Sequence, residues 1–378
     1  MSALTGLKIA DFSWVGAGPR STKDLADNGA TVIKIESRKR LDLGRMSPPF
    51  AGDPKDFNGS AFFAQTNTSK QSVTINLSDP RGIEIAKELI AWADVVVENF
   101  GPGFMERIGL GYETLKTIKP DIILASVSVA GKSGPMAGFR GYGNSAAAHS
   151  GHAWLTGAEN APPHMPPLAY GDVVAPMFLT VAILAALEHH ARTGEGQHVD
   201  VSQIEPMVHV IADLYAEDST TKTGNADPTA LVHGVFPAKG DDEWIAIVVE
   251  TEAQAEALKT TLAIADIDVE SIAFATASNE KFDLFDRLSA AGIPSGPVLD
   301  GKEISENPEL RAAGHFVTVE HAVLGPSNMP APPYKLQGTP GAIGPAPLLG
   351  EHNRAVFVDL LKRDAEAIDA LTQEGSLA

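Results

Sequence analysis

The residue with the clearest chemical potential is Asp172, a lone carboxylate beside Gly171 and Tyr170. It opens the stretch LAYGDVVAPMFLTVAILAALEHHARTGEGQHVDVSQIE (168–205), in which residues 177–187 are apolar except for Thr180. Such a run reads as a helix buried on all sides. It falls short of the roughly 20 apolar residues that cross a bilayer. Pro176 suits a first helical turn, His189, His190 and Arg192 place cationic or polar groups near the end, and Gly194 supplies the stop. A carboxylate placed there has two uses. It can cap the helix, as aspartate commonly does, although Pro176 would then lack the N–H of the first intrahelical bond. Or it can stand at the edge of a pocket, with Gly171 leaving space for a substrate.

Basic residues form the second chemical feature. Ser37-Arg38-Lys39-Arg40, followed by Asp42, Gly44 and Arg45, comes directly after a strand candidate at 31–36. Open α/β sheets bind ligands at the carboxyl ends of their strands, so this cluster either meets phosphates or forms a solvated face. The segment ENFGPGFMER (98–107) turns from a strand through glycines into a helix, exposing backbone N–H groups that can hold an anion. A glycine-rich loop at 131–143 carries Lys132, Arg140 and Tyr142.

These groups need elements to position them. Strand candidates lie at 7–12, 31–36, 72–77, 94–97 and 122–129, with helical stretches near 20–28 and 81–92, which is the parallel β-α-β pattern of an α/β fold. Gly16-Ala17-Gly18 lacks the full dinucleotide fingerprint, so it fits a tight turn before a helix as well as a phosphate cradle. At 378 residues the chain is long enough for two domains. Its 44% hydrophobic and 20% charged content suit a soluble globular protein, and the absence of cysteine excludes disulfides, thiolate metal sites and cysteine nucleophiles. No basic region followed by an apolar core opens the sequence, so a cytoplasmic location is expected. A net charge of −19 disfavours nucleic acid and anionic membranes as partners, and an anionic ligand would need positive charge gathered locally.

Together these segments resemble the class III coenzyme A transferases, the CaiB/BaiF-like family of formyl-CoA, carnitine and benzylsuccinate transferases and α-methylacyl-CoA racemases. The segments that carry the resemblance are LTGLKIADF (4–12), AGP (17–19), LADNGATVIKIE (25–36), NTSKQSVTINL (67–77), DVVVENFGPGFMERIGLGYE (94–113), residues 194–205, and LGEHN (349–353). The resemblance implies a Rossmann-like large domain over 1–215, a smaller α+β domain over 219–328, and a return to the large domain over 329–378. It also implies an interlocked dimer, either a homodimer or a heteromer with a paralogous subunit.

Asp172 matches the family's catalytic aspartate. The implied reaction moves CoA from an acyl-CoA to a carboxylic acid through an aspartyl–acyl anhydride and an aspartyl-CoA thioester, with succinyl-CoA the favoured donor and a bulky aromatic or dicarboxylic acid the favoured acceptor. Coenzyme A enters as substrate; no prosthetic group, metal, flavin or nicotinamide is implied. Asn99, Phe104 and Arg107 match residues along the nucleotide and pantetheine path, and Arg140 lies where a cation often faces the phosphates. Arg38 and Arg45 are near another basic contact. Tyr142 matches a pocket tyrosine, and with Gly16, Gly143 and Gly171 it forms the expected substrate pocket. Gly16 stands where some members carry glutamine, and small residues at 16 and 143 favour a bulkier acyl group than formyl or oxalyl. The racemase branch uses a histidine in a Gly-His-Asp triplet, where this chain has Gly141-Tyr142-Gly143. His149, His152 and His352 are expected to be structural. A noncatalytic partner subunit is the remaining alternative.

In the second half, a hairpin is expected around Gly240-Asp241-Asp242 and helices near 252–261 and 281–291. The polar residues 219–229 read as a linker and the proline-rich residues 329–347 as an extended connection. A single terminal helix is expected over 354–371.

Overall fold

Six short strands carry the Asp172 region: β1 (Lys8–Asp11), β2 (Thr31–Glu36), β3 (Gln71–Thr74), β4 (Val95–Glu98), β5 (Ile123–Ser128) and β6 (His198–Ser202). In this computed structural model, which describes residues 1–53, 56–216, 222 and 224–378 (residues 215 and 216 without side chains), they pair in parallel in the order β3-β2-β1-β4-β5-β6. Every residue of β4 and β5 is buried, as a sheet covered on both faces requires. The order reverses between β1 and β4, which parts the connections there and opens a crevice at the carboxyl ends. The chain is therefore a mixed α/β protein with a central parallel sheet.

The helices that bear on the site are α1 (Ala17–Asp27), α2 (Pro80–Trp92), α3 (Phe104–Arg107), α4 (Gly143–His149) and α5 (Gly171–Thr193). Helix α1 starts three residues earlier than residue 20, because Pro19 in its first turn needs no N–H partner. Helix α5 is long and apolar enough by length and composition to cross a membrane. Its inner face, however, places Ala175, Leu179, Ile183 and Ala186 in one core cluster with Ile9, Leu25, Val95, Val97 and Ile123. Burying each larger aliphatic side chain contributes about 1.5–3 kcal/mol. The opposite face is open: Met177 is 57% and Val181 66% exposed, with Phe178 and Leu184 beside them. The expectation of burial on all sides is thus corrected, since apolar content without periodicity does not reveal which face is covered.

The chain divides into two units, one of Met1–Ala153, Met165–Glu217 and Arg311–Ala378, the other of Trp154–His164 and Asp218–Leu310. The second unit pairs β7 (Val232–Pro237), β8 (Trp244–Val249) and β9 (Ser295–Pro297) in an antiparallel sheet. Against it lie α6 (Glu252–Leu262), α7 (Val269–Thr276) and α8 (Lys281–Ala290), sharing a core of Ile245, Ile247, Val249, Leu258 and Leu284. The expected hairpin falls between β7 and β8, with Gly240 and Asp242 at positive φ. Part of the expected linker at 219–229 lies outside the described residues.

In the first unit, β10 (Phe316–His321) and β11 (Gly325–Pro330) form a hairpin, so the expected extended tract begins as a strand. The chain then closes over the exposed edge of β3. The His352 N–H donates to the Ser72 carbonyl at 2.9 Å, and the Thr74 N–H donates to Asn353 Oδ1 at 2.8 Å. This occupies groups that an edge strand would otherwise leave open. The single terminal helix is also corrected. A π-helical turn at Ala355–Leu360 is broken by Lys362 in the left-handed region, and α9 (Ala365–Gln373) restarts under an Asp364 cap.

Candidate active site

Asp172 sits in the first turn of α5, after an N-cap residue, Tyr170, that makes no side-chain capping bond. Its side chain turns inward: Oδ1 accepts a hydrogen bond from Gln203 Nε2 at 2.8 Å, and Oδ2 accepts one from the Gly143 N–H at 3.3 Å. The capping reading is thereby replaced. Pro176, four residues on, has no N–H to offer the Asp172 carbonyl, so the helix starts loosely where the carboxylate is presented. Burial pushes the Asp172 carboxyl above the ordinary carboxylate range, and it outweighs the Gly143 and Gln203 hydrogen bonds and the charge of Arg20.

The glycines around it are required by close approach. A Cβ at Gly143 would lie 2.7 Å from the Asp172 nitrogen and 2.9 Å from Oδ2; one at Gly171 would lie 2.9 Å from Ala146 Cβ. A Cβ at Gly16 would touch Asp172 Cβ at 3.3 Å. The space at 16 and 143 is thus already filled by Asp172, and these small residues are no argument for a bulky acyl group.

Asp172 and Gln203 stand on the wall of a cavity of about 990 Å³. Trp14, Phe100, Phe104 and Tyr142 give it aromatic walls, and Lys39, Arg40, Arg107 and Arg140 bring four cations to it. The Phe100 and Phe104 rings lie 4.4 Å apart, and the guanidinium of Arg40 sits 5.6 Å from the Trp14 ring centre. In a protein of net charge −19 this gathers the local positive field an anion needs.

Backbone geometry holds the cavity in shape. Asn99 lines it, yet both ends of its amide are engaged by Trp14: the Trp14 N–H donates to Oδ1 and Nδ2 donates to the Trp14 carbonyl, each at 2.7 Å. Next in line, Val15 is held at φ +64° with its N–H on Asp42 Oδ1 at 2.8 Å, and Asp42 is in turn paired with Lys34 at 2.9 Å. These bonds aim Gly16 at Asp172. Lys132 shapes the next turn, pairing with Glu98 at 3.1 Å and donating to the Phe100 carbonyl at 2.6 Å.

The structure brings together Asp172, Gly16, Gly143, Gly171, Tyr142, Asn99, Phe104, Arg107 and Arg140. It does not bring Arg38 or Arg45 to the cavity wall. Arg38 is exposed and donates to the Leu349 carbonyl at 3.2 Å. Arg45 is 1% exposed, forked on Glu36 with two bonds of 2.7 Å and stacked 3.6 Å from the Phe63 ring centre. Lys39 and Arg40 take the places expected for them. Sequence reasoning passed over Gln203, the Gly143 N–H and Arg20. The signal for Gln203 was available: it immediately follows β6, at the ligand-binding end of the sheet. His149 packs edge-on to Phe139, 4.8 Å between ring centres, and His352 Nδ1 accepts the Ser72 N–H at 3.3 Å. Burial lowers the pKa of His152, which lies 5.5 Å from the Tyr170 ring centre. Among the described residues, no group of three or more histidine, aspartate and glutamate side chains could hold a metal ion.

Residues 4–353 match the family described as CoA-transferase family III. The chain is 31% identical to the succinyl-CoA:glutarate CoA-transferase of Mus musculus, over 99% of this chain and 90% of that protein. It is 30% identical to the formyl-CoA:oxalate CoA-transferase of Rhodopseudomonas palustris, over 99% and 97%. The crystal structure of a CAIB/BAIF family protein from Brucella suis superposes with a TM-score of 0.87 at 28% identity, covering 95% of this chain and 99% of that one. With an aspartate on a cation-lined cavity at the switch point of its sheet, this chain belongs to CoA-transferase family III and is a class III CoA-transferase.

Proposed function

We infer that the protein moves CoA from an acyl-CoA to a free carboxylic acid, with Asp172 as the covalent relay. Succinyl-CoA is the favoured donor and a small dicarboxylic acid the favoured acceptor, because relatives aligned over nearly the whole chain are named for succinyl-CoA with glutarate and formyl-CoA with oxalate. The observation that carries the reading is the Asp172 carboxylate itself, partly shielded and held, among the described residues, by two hydrogen bonds on the wall of a cation-lined cavity.

Asp172 attacks the thioester carbonyl, the C–S bond breaks, and CoA leaves as thiolate, giving a mixed anhydride. The thiolate then attacks the Asp172 carbonyl carbon and expels the donor acid, leaving an aspartyl-CoA thioester. An incoming carboxylate runs the sequence in reverse, so thioester energy is retained and no net proton is exchanged. Apolar and aromatic walls keep water from the anhydride. Lys39, Arg40, Arg107 and Arg140 bind the nucleotide phosphates, and the aromatic walls line the pantetheine arm. A second copy of the chain covers the open apolar face of α5, a reading that Met177, Phe178, Val181 and Leu184 support.

Intact-mass measurement after incubation with a panel of acyl-CoAs tests the reaction, using wild type and Asp172→Ala. A CoA adduct on wild type that hydroxylamine removes, and that the variant never forms, is the expected result. Absence of any adduct, with exchange of the substrate α-proton into deuterated solvent, would replace the transferase by a racemase.

A further inference from the structure

Gln203 is 5% exposed, and its backbone is fixed at the end of β6 by N–H bonds to the Ser128 carbonyl at 2.8 Å and the Val129 carbonyl at 3.1 Å. Its Nε2 lies 2.8 Å from Asp172 Oδ1, while its Oε1 is buried without a hydrogen-bond partner among the described residues. A carboxylate only accepts, so the NH₂ end must be the one facing it. An amide kept for packing would have its carbonyl satisfied as well. Among the described residues its one side-chain bond is to Asp172, and the fold leaves the amide oxygen unmatched there to make it. The two oxygens of Asp172 are also held unequally, since the Gly143 N–H reaches Oδ2 at the longer distance of 3.3 Å.

We propose that Gln203 is a catalytic residue whose amide N–H receives the negative charge that develops on Asp172 Oδ1 when CoA thiolate attacks the Asp172 carbonyl carbon. The proposal rests on the transferase reading above. Oδ2, the less tightly held oxygen, attacks the donor thioester carbon and becomes the bridging oxygen of the anhydride. Oδ1 stays doubly bonded to Cγ. When the thiolate adds to Cγ, the C=O electron pair moves onto Oδ1, already at hydrogen-bond distance from Nε2. Collapse reforms the C=O bond, breaks the Cγ–Oδ2 bond and releases the donor acid with Oδ2 in its carboxylate. In the second half, the acceptor carboxylate adds to the same carbon, so the same donor serves both halves. A donor fixed in place before charge develops is the arrangement that stabilises such intermediates most.

The test is single-turnover mass spectrometry on wild type, Gln203→Met and Gln203→Leu with an acyl-CoA that labels wild type, beside CoA affinity and thermal melting. Loss of one such donor should slow appearance of the CoA adduct by roughly 10²–10³-fold. CoA affinity should stay within about twofold, and the ratio of acyl adduct to CoA adduct should rise, because the first attack places its charge on the acyl group and not on Asp172. A purely structural role would slow both adducts alike, and a wild-type rate in Gln203→Met would overturn the proposal outright. Should Gln203→Met fail to fold, Gln203→Leu, which likewise has no donor and adds no charge, carries the same comparison. No adduct on wild type itself would instead remove the transferase reading and this proposal with it.

Discussion

Asp11 and Asp172 belong to the same unit and are both drawn away from bulk water, Asp11 wholly and Asp172 in part. Around Asp11 the fold supplies more than enough compensation. Oδ2 accepts Lys70 Nζ at 3.0 Å and Thr22 Oγ1 at 2.6 Å, and Oδ1 accepts the Ser13 N–H at 2.9 Å together with the Ser13 hydroxyl. Burial alone would push this carboxyl up, but Lys70, Lys34 and the two hydroxyls outweigh it and hold it below the ordinary range. Around Asp172 there are two hydrogen bonds and, among the described residues, no ion pair, so burial prevails and the carboxyl lies high. A saturated carboxylate is a structural brace; an under-satisfied one keeps its electrons available. On the proposed mechanism, reactivity at Asp172 follows from what the fold withholds, and the direction of the pKa shift separates the two carboxylates.

The sharpest way to break this comparison is to neutralise each group in turn. Asp172→Asn should lower turnover on the order of 10⁶-fold, as removal of a covalent nucleophile does. Its unfolding midpoint should not fall. With a folded pKa above the unfolded value, the ionised Asp172 opposes folding increasingly as pH rises through that interval, and asparagine removes the opposition. Asp11→Asn should do the reverse, losing about 3–5 kcal/mol in urea unfolding because Lys70 is left buried without its partner. Asp11 contributes stability that is complete above the ordinary carboxylate pKa and is lost as pH falls toward the lower folded value. A destabilised Asp172→Asn, or an Asp11→Asn as stable as wild type, would end the distinction.

The cations offer a smaller contrast of the same kind. Arg107→Ala and Arg140→Ala should each raise KM for acyl-CoA roughly tenfold, the loss of one charge-assisted contact. Folding should be unchanged, and the deficit should shrink as salt rises. Arg45→Ala should leave Glu36 buried without its fork and show its loss in denaturant unfolding, whereas Arg38→Ala should change neither measurement. The smallest effect is in pH dependence. On the proposed mechanism Asp172 must be ionised to attack, so single-turnover rates should fall on acidification with a limb above the ordinary carboxylate pKa. Removing the Gln203 donor should move that limb further toward alkaline pH.

Much of this was legible in the sequence, for reasons that particular residues make plain. The parallel strands declare themselves because burial on both faces demands unbroken runs such as Val95-Val96-Val97. Asp172 stands out because a charge beside a long apolar helix needs a reason to be there. What stayed hidden depends on direction in space. Arg38, Lys39 and Arg40 are consecutive, yet only the last two reach the cavity, since Arg38 turns away to the Leu349 carbonyl, a residue far along the chain. Arg45 resembles its neighbours in composition, and only Glu36 and Phe63, brought beside it by folding, make it a brace. Asn99 lines the cavity as expected, but its hold on the Trp14 backbone joins two distant parts of the chain and leaves no local pattern. The terminal helix broke at Lys362, a residue type that gives no sign of positive φ. Helix α5 carried no alternation to say which side would remain open.

The crevice between β1 and β4 separates what is fixed from what can vary. Asp172, Gln203 and Gly143 are held at a helix start, a strand end and a second helix start, each braced by backbone bonds that tolerate little change. Phe139 and Tyr142 sit on the connection from β5 to α4, where substitution leaves the sheet untouched. One relay can therefore be inherited unchanged while its clientele is exchanged loop by loop, and descendants of such a scaffold can diverge in the acids they serve without reinventing the transfer.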